Sequence, residues 1–202
     1  MSGAQARRVL VYIPIVHSQA DMGSLGRALQ ADQVQARSVQ TWWIEIQQQV
    51  RALELSWPGV KVYQDGLPDT NAELIRKILA EVQSPNYDLL RWLVSQGAEL
   101  VGTESPALLM EEYLHLQAVL TPNDSSTRGD ALRAYARRAG ELLAERDAYI
   151  ARRIADTLPP DRVGFLFVGQ AHRVAKRLAA DIAVRRLPRT RASTKATKLP
   201  AL

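Results

Sequence analysis

Four short runs dense in β-branched and aromatic residues punctuate the chain, at 8–16 (RVLVYIPIV), 59–63 (GVKVY), 98–102 (AELVG) and 162–168 (RVGFLFV). Runs of this length suit strands buried on both faces better than amphipathic helices. The segments between them carry helical spacing. From about Ser24 to Leu55, apolar residues recur every three to five positions, as one or two amphipathic helices require. Thr70 or Asn71 can cap a helix running through Val82, and a further helix over 87–96 ends at Gly97. Pro106 opens a helix over 107–120, a long one covers about 129–157, and 173–186 reads as a terminal helix.

Strands alternating with helices at this spacing predict an α/β fold: one domain with a mostly parallel central sheet and helices on both faces. At 202 residues and 47% hydrophobic, the chain is long enough for one substantial core. No apolar run approaches membrane-spanning length and the N-terminal stretch is not of signal-peptide type, so the expectation is a cytoplasmic protein without a membrane partner. Without cysteine, disulfides and thiolate chemistry are excluded, and any metal would be held by histidine and carboxylate.

The net charge of +5 is local. Residues 185–202 contain six basic residues and no acid, which leaves 20 basic against 21 acidic residues in the rest of the chain. This segment, RRLPRTRASTKATKLPAL, is expected to be a disordered tail after a domain spanning 1–184. It could contact nucleic acid or an acidic partner, or simply be solvated. A homo-oligomer is the common default for such domains.

Parallel strands end on one edge, and ligands of open α/β sheets bind beyond that edge. The strand exits carry His17, Gln64-Asp65, Glu104 and Gly169-Gln170-Ala171-His172, with Asp21 a few residues into its loop. Two of the three histidines fall here; His115 lies inside a predicted helix and reads as a satisfied or surface residue. His17, Glu104 and His172 could bind a divalent metal and activate a water. The same three could instead share general acid–base work without metal, with Asp21 or Asp65 orienting them and Arg146 binding an anionic group. Gln64, Asp65, Asp147 and Gln170 complete the expected ligand-binding set. Each residue also has a plain role: Glu104 near a helix N-terminus, Asp65 as a turn-former before Gly66. Ser18 and Ser105 lack the G-x-S-x-G context of a serine nucleophile, and neither a G-x-G-x-x-G nor a Walker A sequence is present, so no nucleotide cofactor is indicated.

The stretch Arg146–His172, RDAYIARRIADTLPPDRVGFLFVGQAH, resembles the C-terminal signature of the TraB/Tiki/ChaN and erythromycin-esterase-like superfamily, in which an Arg-Asn-type pair opens a long helix and a strand delivers G-x-x-H. Arg146-Asp147 stands at the pair, with Asp in place of Asn, and Gly169–His172 matches G-x-x-H. Pro14–His17 occupies the place of the family's first polar motif, without its Gly-Glu, and Glu104 is similar to its strand-end carboxylate. Ile13–His17 and Tyr63–Pro68 also resemble the I-P-I-x-H and Y-Q-D-G-L-P motifs of an uncharacterised prokaryotic family. The superfamily resemblance implies metal-dependent peptidase, esterase or iron- and haem-binding chemistry.

Together these readings predict a hydrolase, metal-assisted or not, acting on a small or peptide-like substrate. The alternative is a non-catalytic protein that senses a small molecule and uses its basic tail on nucleic acid or a protein. A third expectation is an interaction surface formed by Trp42-Trp43 or Trp57, against core packing of the same residues. The loop over 121–129 could act as a lid.

Overall fold

The computed structural model describes residues 7–18, 21, 33–121 and 124–187. Among these residues five strands form one all-parallel sheet in the order β3-β2-β4-β1-β5. They are β1 (Arg8–Ile15), β2 (Lys61–Gln64), β3 (Glu99–Val101), β4 (Val163–Gly169) and β5 (Ile182–Arg186). The helices are α1 (Gln33–Arg51), α2 (Ala72–Glu81), α3 (Pro85–Ser95), α4 (Pro106–Leu120) and α5 (Ser125–Thr157), with a 3-10 turn at Val174–Lys176.

The apolar runs behave as doubly buried strands because alternate side chains feed two different cores. Val11, Ile13 and Ile15 of β1 join Phe165 and Phe167 of β4 beneath Trp43 of α1 and Leu89, Leu90 and Leu93 of α3. Leu10, Tyr12, Leu166 and Val168 point the other way, onto Ile150, Ala151 and Ile154 of α5. The helices therefore cover both faces, as the uninterrupted hydrophobic strands require. Trp43 and Trp57 lie in the first core, Trp57 edge-on to Trp92 at 5.5 Å, so neither offers an exposed face to a partner.

Helix starts follow local chemistry. The side chains of Asn71, Ser84, Ser105 and Asp124 each accept a hydrogen bond from the backbone N–H three residues on. Asp124 caps α5 at Ser125, so most of the expected lid loop is the first turn of a helix; 122–123 lie outside the described residues.

The chain departs from the sequence reading after β4. The expected terminal helix over 173–186 is a 3-10 turn followed by the edge strand β5, in register with β1 from Arg8–Ile182 to Tyr12–Arg186. Ala, Leu, Arg and Lys give this segment good helix propensity. Tertiary pairing overrides it: Arg8 holds Asp181 through Nε–Oδ2 at 2.7 Å and Nη2–Oδ1 at 2.9 Å, and Ile182 buries against the α5 side of the sheet. Arg185 and Arg186, assigned by composition to the tail, thus belong to the sheet; 188–202 lie outside the described residues.

Candidate active site

The sheet order fixes which exits are neighbours. Along β3-β2-β4-β1 the residues following the strands are Glu104, Asp65, His172 and His17, so four polar side chains are set side by side on one edge. The helix α5 crosses this edge and adds Arg146 and Asp147, both buried in the stripe that continues through Ile150, Ala151 and Ile154. Trp43 Nε1 donates to the Val16 carbonyl at 3.1 Å and so pins the β1 exit next to His17.

Asp65 is the hub. Its Oδ2 accepts from Gly169 N at 2.7 Å, lies 3.0 Å from His17 Nε2 and 3.4 Å from His172 Nε2. Its Oδ1 accepts from Arg146 Nη2 at 2.9 Å. Both imidazoles thus address one carboxylate oxygen. His172 is held from behind, with Nδ1 2.6 Å from Asp147 Oδ1, while Asp147 Oδ2 accepts from Arg173 N at 2.7 Å. Gly169 is required by this crowding: a Cβ there would stand 2.9 Å from Asp65 Oδ2 and 3.3 Å from His17 Nε2.

Arg146 is enclosed by carboxylates. Its Nε and Nη2 make a bidentate pair with Glu104 at 2.6 and 2.7 Å, Nη2 also serves Asp65, and Nη1 donates to Glu112. Gly66 N fills a further acceptor site on Glu104 Oε1 at 2.8 Å. Glu104 is 0% exposed. Planar, bidentate pairing of this kind is the strong form of a charge-assisted contact.

The electrostatics divide the carboxylates. For Asp65, burial opposes ionisation, yet the His17 hydrogen bond and the surrounding polar groups win and hold its carboxyl well below the ordinary range. Glu104 moves the other way, to about 7, because burial and the adjacent Asp65 charge outweigh its pairing with Arg146. Of the two acids, Glu104 is therefore the one that takes up a proton first as pH falls. Burial disfavours the His17 imidazolium, but Asp65 more than compensates and its pKa is raised. His172 is raised as well, burial being outweighed by Asp147 and Asp65.

A cavity of about 570 Å³ opens over this floor. His17, Asp21, Asp65, Arg146, Gln170 and His172 reach it, and Gln64, Glu104 and Asp147 do not. Gln64 is buried with its Nε2 on the Asp65 carbonyl, Glu104 sits beneath Arg146, and Asp147 stands behind His172. Asp21 is locked by Ser18 N at 2.7 Å and Ser84 Oγ at 2.6 Å. His115 stays apart, against the Tyr135 ring at 5.8 Å. The opposite wall comes from Leu109, Glu112, Tyr113 and Leu116 of α4 with Tyr135 and Leu143 of α5. Those four α4 positions follow i, i+3, i+4, i+7 spacing, a signal present in the sequence that attention to strand exits alone passes over.

Comparison with known proteins yields no match to a family model, a curated protein or a solved structure.

Ligand atoms of Asp65, Glu104 and His172 lie within 4.8 Å of one another, the separation that a cation needs. His17, expected in that set, is not part of it. The donors are otherwise engaged: Arg146 occupies both Glu104 oxygens and Asp65 Oδ1, so a positive group already stands where a divalent ion would be neutralised. This donor set fits a metal only if Arg146 withdraws.

Proposed function

We propose that this chain is a metal-independent hydrolase of small or peptide-like substrates in which His17 is the general base. The observation carrying this reading is the His17 Nε2 to Asp65 Oδ2 contact of 3.0 Å, with the His17 side chain 36% exposed at the floor of the 570 Å³ cavity. A carboxylate can only accept, so Nε2 carries the proton and, in the neutral ring, Nδ1 is the free base. Nδ1 takes a proton from water, the water oxygen bonds to the substrate carbonyl carbon, and the carbon–leaving-group bond breaks as His17 returns the proton to the leaving group. Asp65 positions the ring, and Asp147 positions His172 as a second polar wall. Arg146, already neutralised by carboxylates, fixes the floor rather than binding substrate charge.

Kinship with the TraB/Tiki/ChaN and erythromycin-esterase-like superfamily belongs to the same proposal. It is supported by the meeting of Arg146, Asp147 and His172, the residues of the two matched motifs, in one hydrogen-bonded group. A second reading, non-catalytic ligand sensing, is favoured by one feature: the acids of the floor are saturated by internal partners, as in a rigid preformed binding site.

The test is turnover of p-nitrophenyl esters of graded acyl length and of amino-acid p-nitroanilides, with and without EDTA. We expect EDTA-resistant turnover, reduced at least about a hundredfold by His17→Ala, in line with the usual contribution of a general base. No turnover of either series by the folded protein, or turnover untouched by His17→Ala, overturns the proposal; loss of turnover in EDTA overturns its metal independence.

A further inference from the structure

A second cavity, of about 980 Å³, lies across the 170–173 loop from the first. Its floor is the end of β1 at Tyr12–Pro14, and one wall is Trp42 of α1. Among the described residues β5 pairs with β1 as far as Tyr12–Arg186, and the cavity lies alongside the end of that pairing. Among the described residues lining it the charge is lopsided: Arg173, Lys176 and Arg186 face one acid, Glu45. Arg173 Nη1 is engaged with the carbonyls of Gln170, Ala171 and His172, whereas Arg186 lies over the Tyr12 ring at 5.7 Å. Cations next to aromatic and aliphatic walls suit a molecule with an anionic group on a flat apolar body.

We infer that this second cavity is a binding site for a small organic anion of about mononucleotide size, whose charged group meets Lys176 and Arg186 and whose apolar body packs against Trp42 and Pro14. The chain's own C-terminal segment is an unsuitable occupant, because 188–202 carries Arg189, Arg191, Lys195 and Lys198 and no acid. The inference does not depend on the hydrolase reading. It does connect to the same loop: His172 borders both cavities, and Tyr12 OH donates to its carbonyl at 3.4 Å.

The experiment titrates the full-length protein with the anionic dye 1-anilinonaphthalene-8-sulfonate and with its uncharged counterpart N-phenyl-1-naphthylamine. The result expected is saturable binding of one equivalent of the anionic dye, at least about tenfold tighter than the neutral one, a ratio equivalent to about 1.4 kcal/mol. Lys176→Glu and Arg186→Glu, both exposed and therefore compatible with folding, should each weaken it several-fold; Trp42→Ala should do the same; and His17→Ala should leave it unchanged. Competition by a mononucleotide supports the assignment. Equal binding of the two dyes, indifference to both charge reversals, or displacement by an oligoglutamate peptide but not by a mononucleotide overturns it.

Discussion

Asp147 Oδ1 stands 2.6 Å from His172 Nδ1, and its other oxygen caps the backbone N–H of Arg173, so one side chain fixes both the ring and the loop that carries it. Asp147→Asn removes the charge while keeping the shape. Burial alone lowers a histidine pKa, and in the native protein Asp147 and Asp65 reverse that effect. The variant should therefore show a His172 imidazole titrating below its native position. A raised histidine contributes stability below its ordinary value of 6.5 that is lost as pH rises through the folded value, so the variant should lose stability mainly on the acid side, by about 1–3 kcal/mol. NMR titration of the three imidazoles checks this; an unmoved His172 signal would show that Asp147 does not set its protonation.

Glu104 predicts an unusual pH dependence of folding. Its carboxyl is raised from 4.5 to about 7, so between those values the folded protein binds more protons than the unfolded chain and stability falls as pH rises. Asp65 acts oppositely: its contribution is present above 3.8 and is lost only as pH drops through its lower folded value. Urea unfolding from pH 4.5 to 7.5 should show a decline assignable to Glu104 of up to about 3 kcal/mol, at about 1.4 kcal/mol for each pKa unit. Glu104→Gln should flatten it. A wild-type curve that rises monotonically to pH 7.5, with the same slope in the variant, would contradict the raised Glu104 carboxyl.

How far the sequence foretold this site depends on which interaction made each part. The four strand exits were legible because doubly buried strands have a distinctive composition and parallel strands share an edge; Asp65, Glu104, His17 and His172 then had to converge. The asymmetry between Glu104 and Asp65 was not legible. It arises from the partners that packing gives each acid: His17, 48 residues from Asp65, holds that carboxyl low, whereas burial and the Asp65 charge raise Glu104 against its pairing with Arg146, 42 residues away. The same holds for β5, whose residues favour helix locally and become a strand only beside β1.

Three glycines separate crowding from backbone conformation. Gly102 would place a Cβ 2.6 Å from the Pro68 carbonyl oxygen and 2.7 Å from Asp69 Cα, both backbone atoms that cannot rotate away. At Gly169 the obstacles are the Asp65 and His17 side chains, and at Gly66 there is no neighbour within 4 Å but φ is +78°. Alanine at Gly102 should cost most, about 3 kcal/mol by analogy with overpacked cores, and at Gly66 about 1 kcal/mol from the positive φ. Gly169→Ala should fold with intermediate stability while shifting the His17 titration. Equal thermal shifts for Gly102→Ala and Gly66→Ala would show that the loop 68–70 yields freely.

Arg146 holds the site's charge balance, and its removal tests whether it also excludes metal. Without it, Asp65, Glu104 and Glu112 would lose the guanidinium they share. Removing one partner of such a buried group costs about 3–5 kcal/mol. The loss for Arg146→Ala should be smaller at pH 5 than at pH 7.5, because Glu104 already favours its proton there. The vacated space is bordered by the ligand atoms of Asp65, Glu104 and His172, so manganese or zinc should now stabilise the variant. At a hundredfold excess over Kd the gain is about 2.7 kcal/mol, which for a chain of this size raises Tm by about 5–10 °C. The wild type should not respond. Arg146→Lys, which keeps a charge but loses the planar pair, provides a folded comparison if the alanine variant is too unstable, and it should remain unresponsive to metal. Equal metal stabilisation of the wild type would mean that Arg146 yields to a cation, and the metal-assisted form of the hydrolase would then replace the metal-independent one.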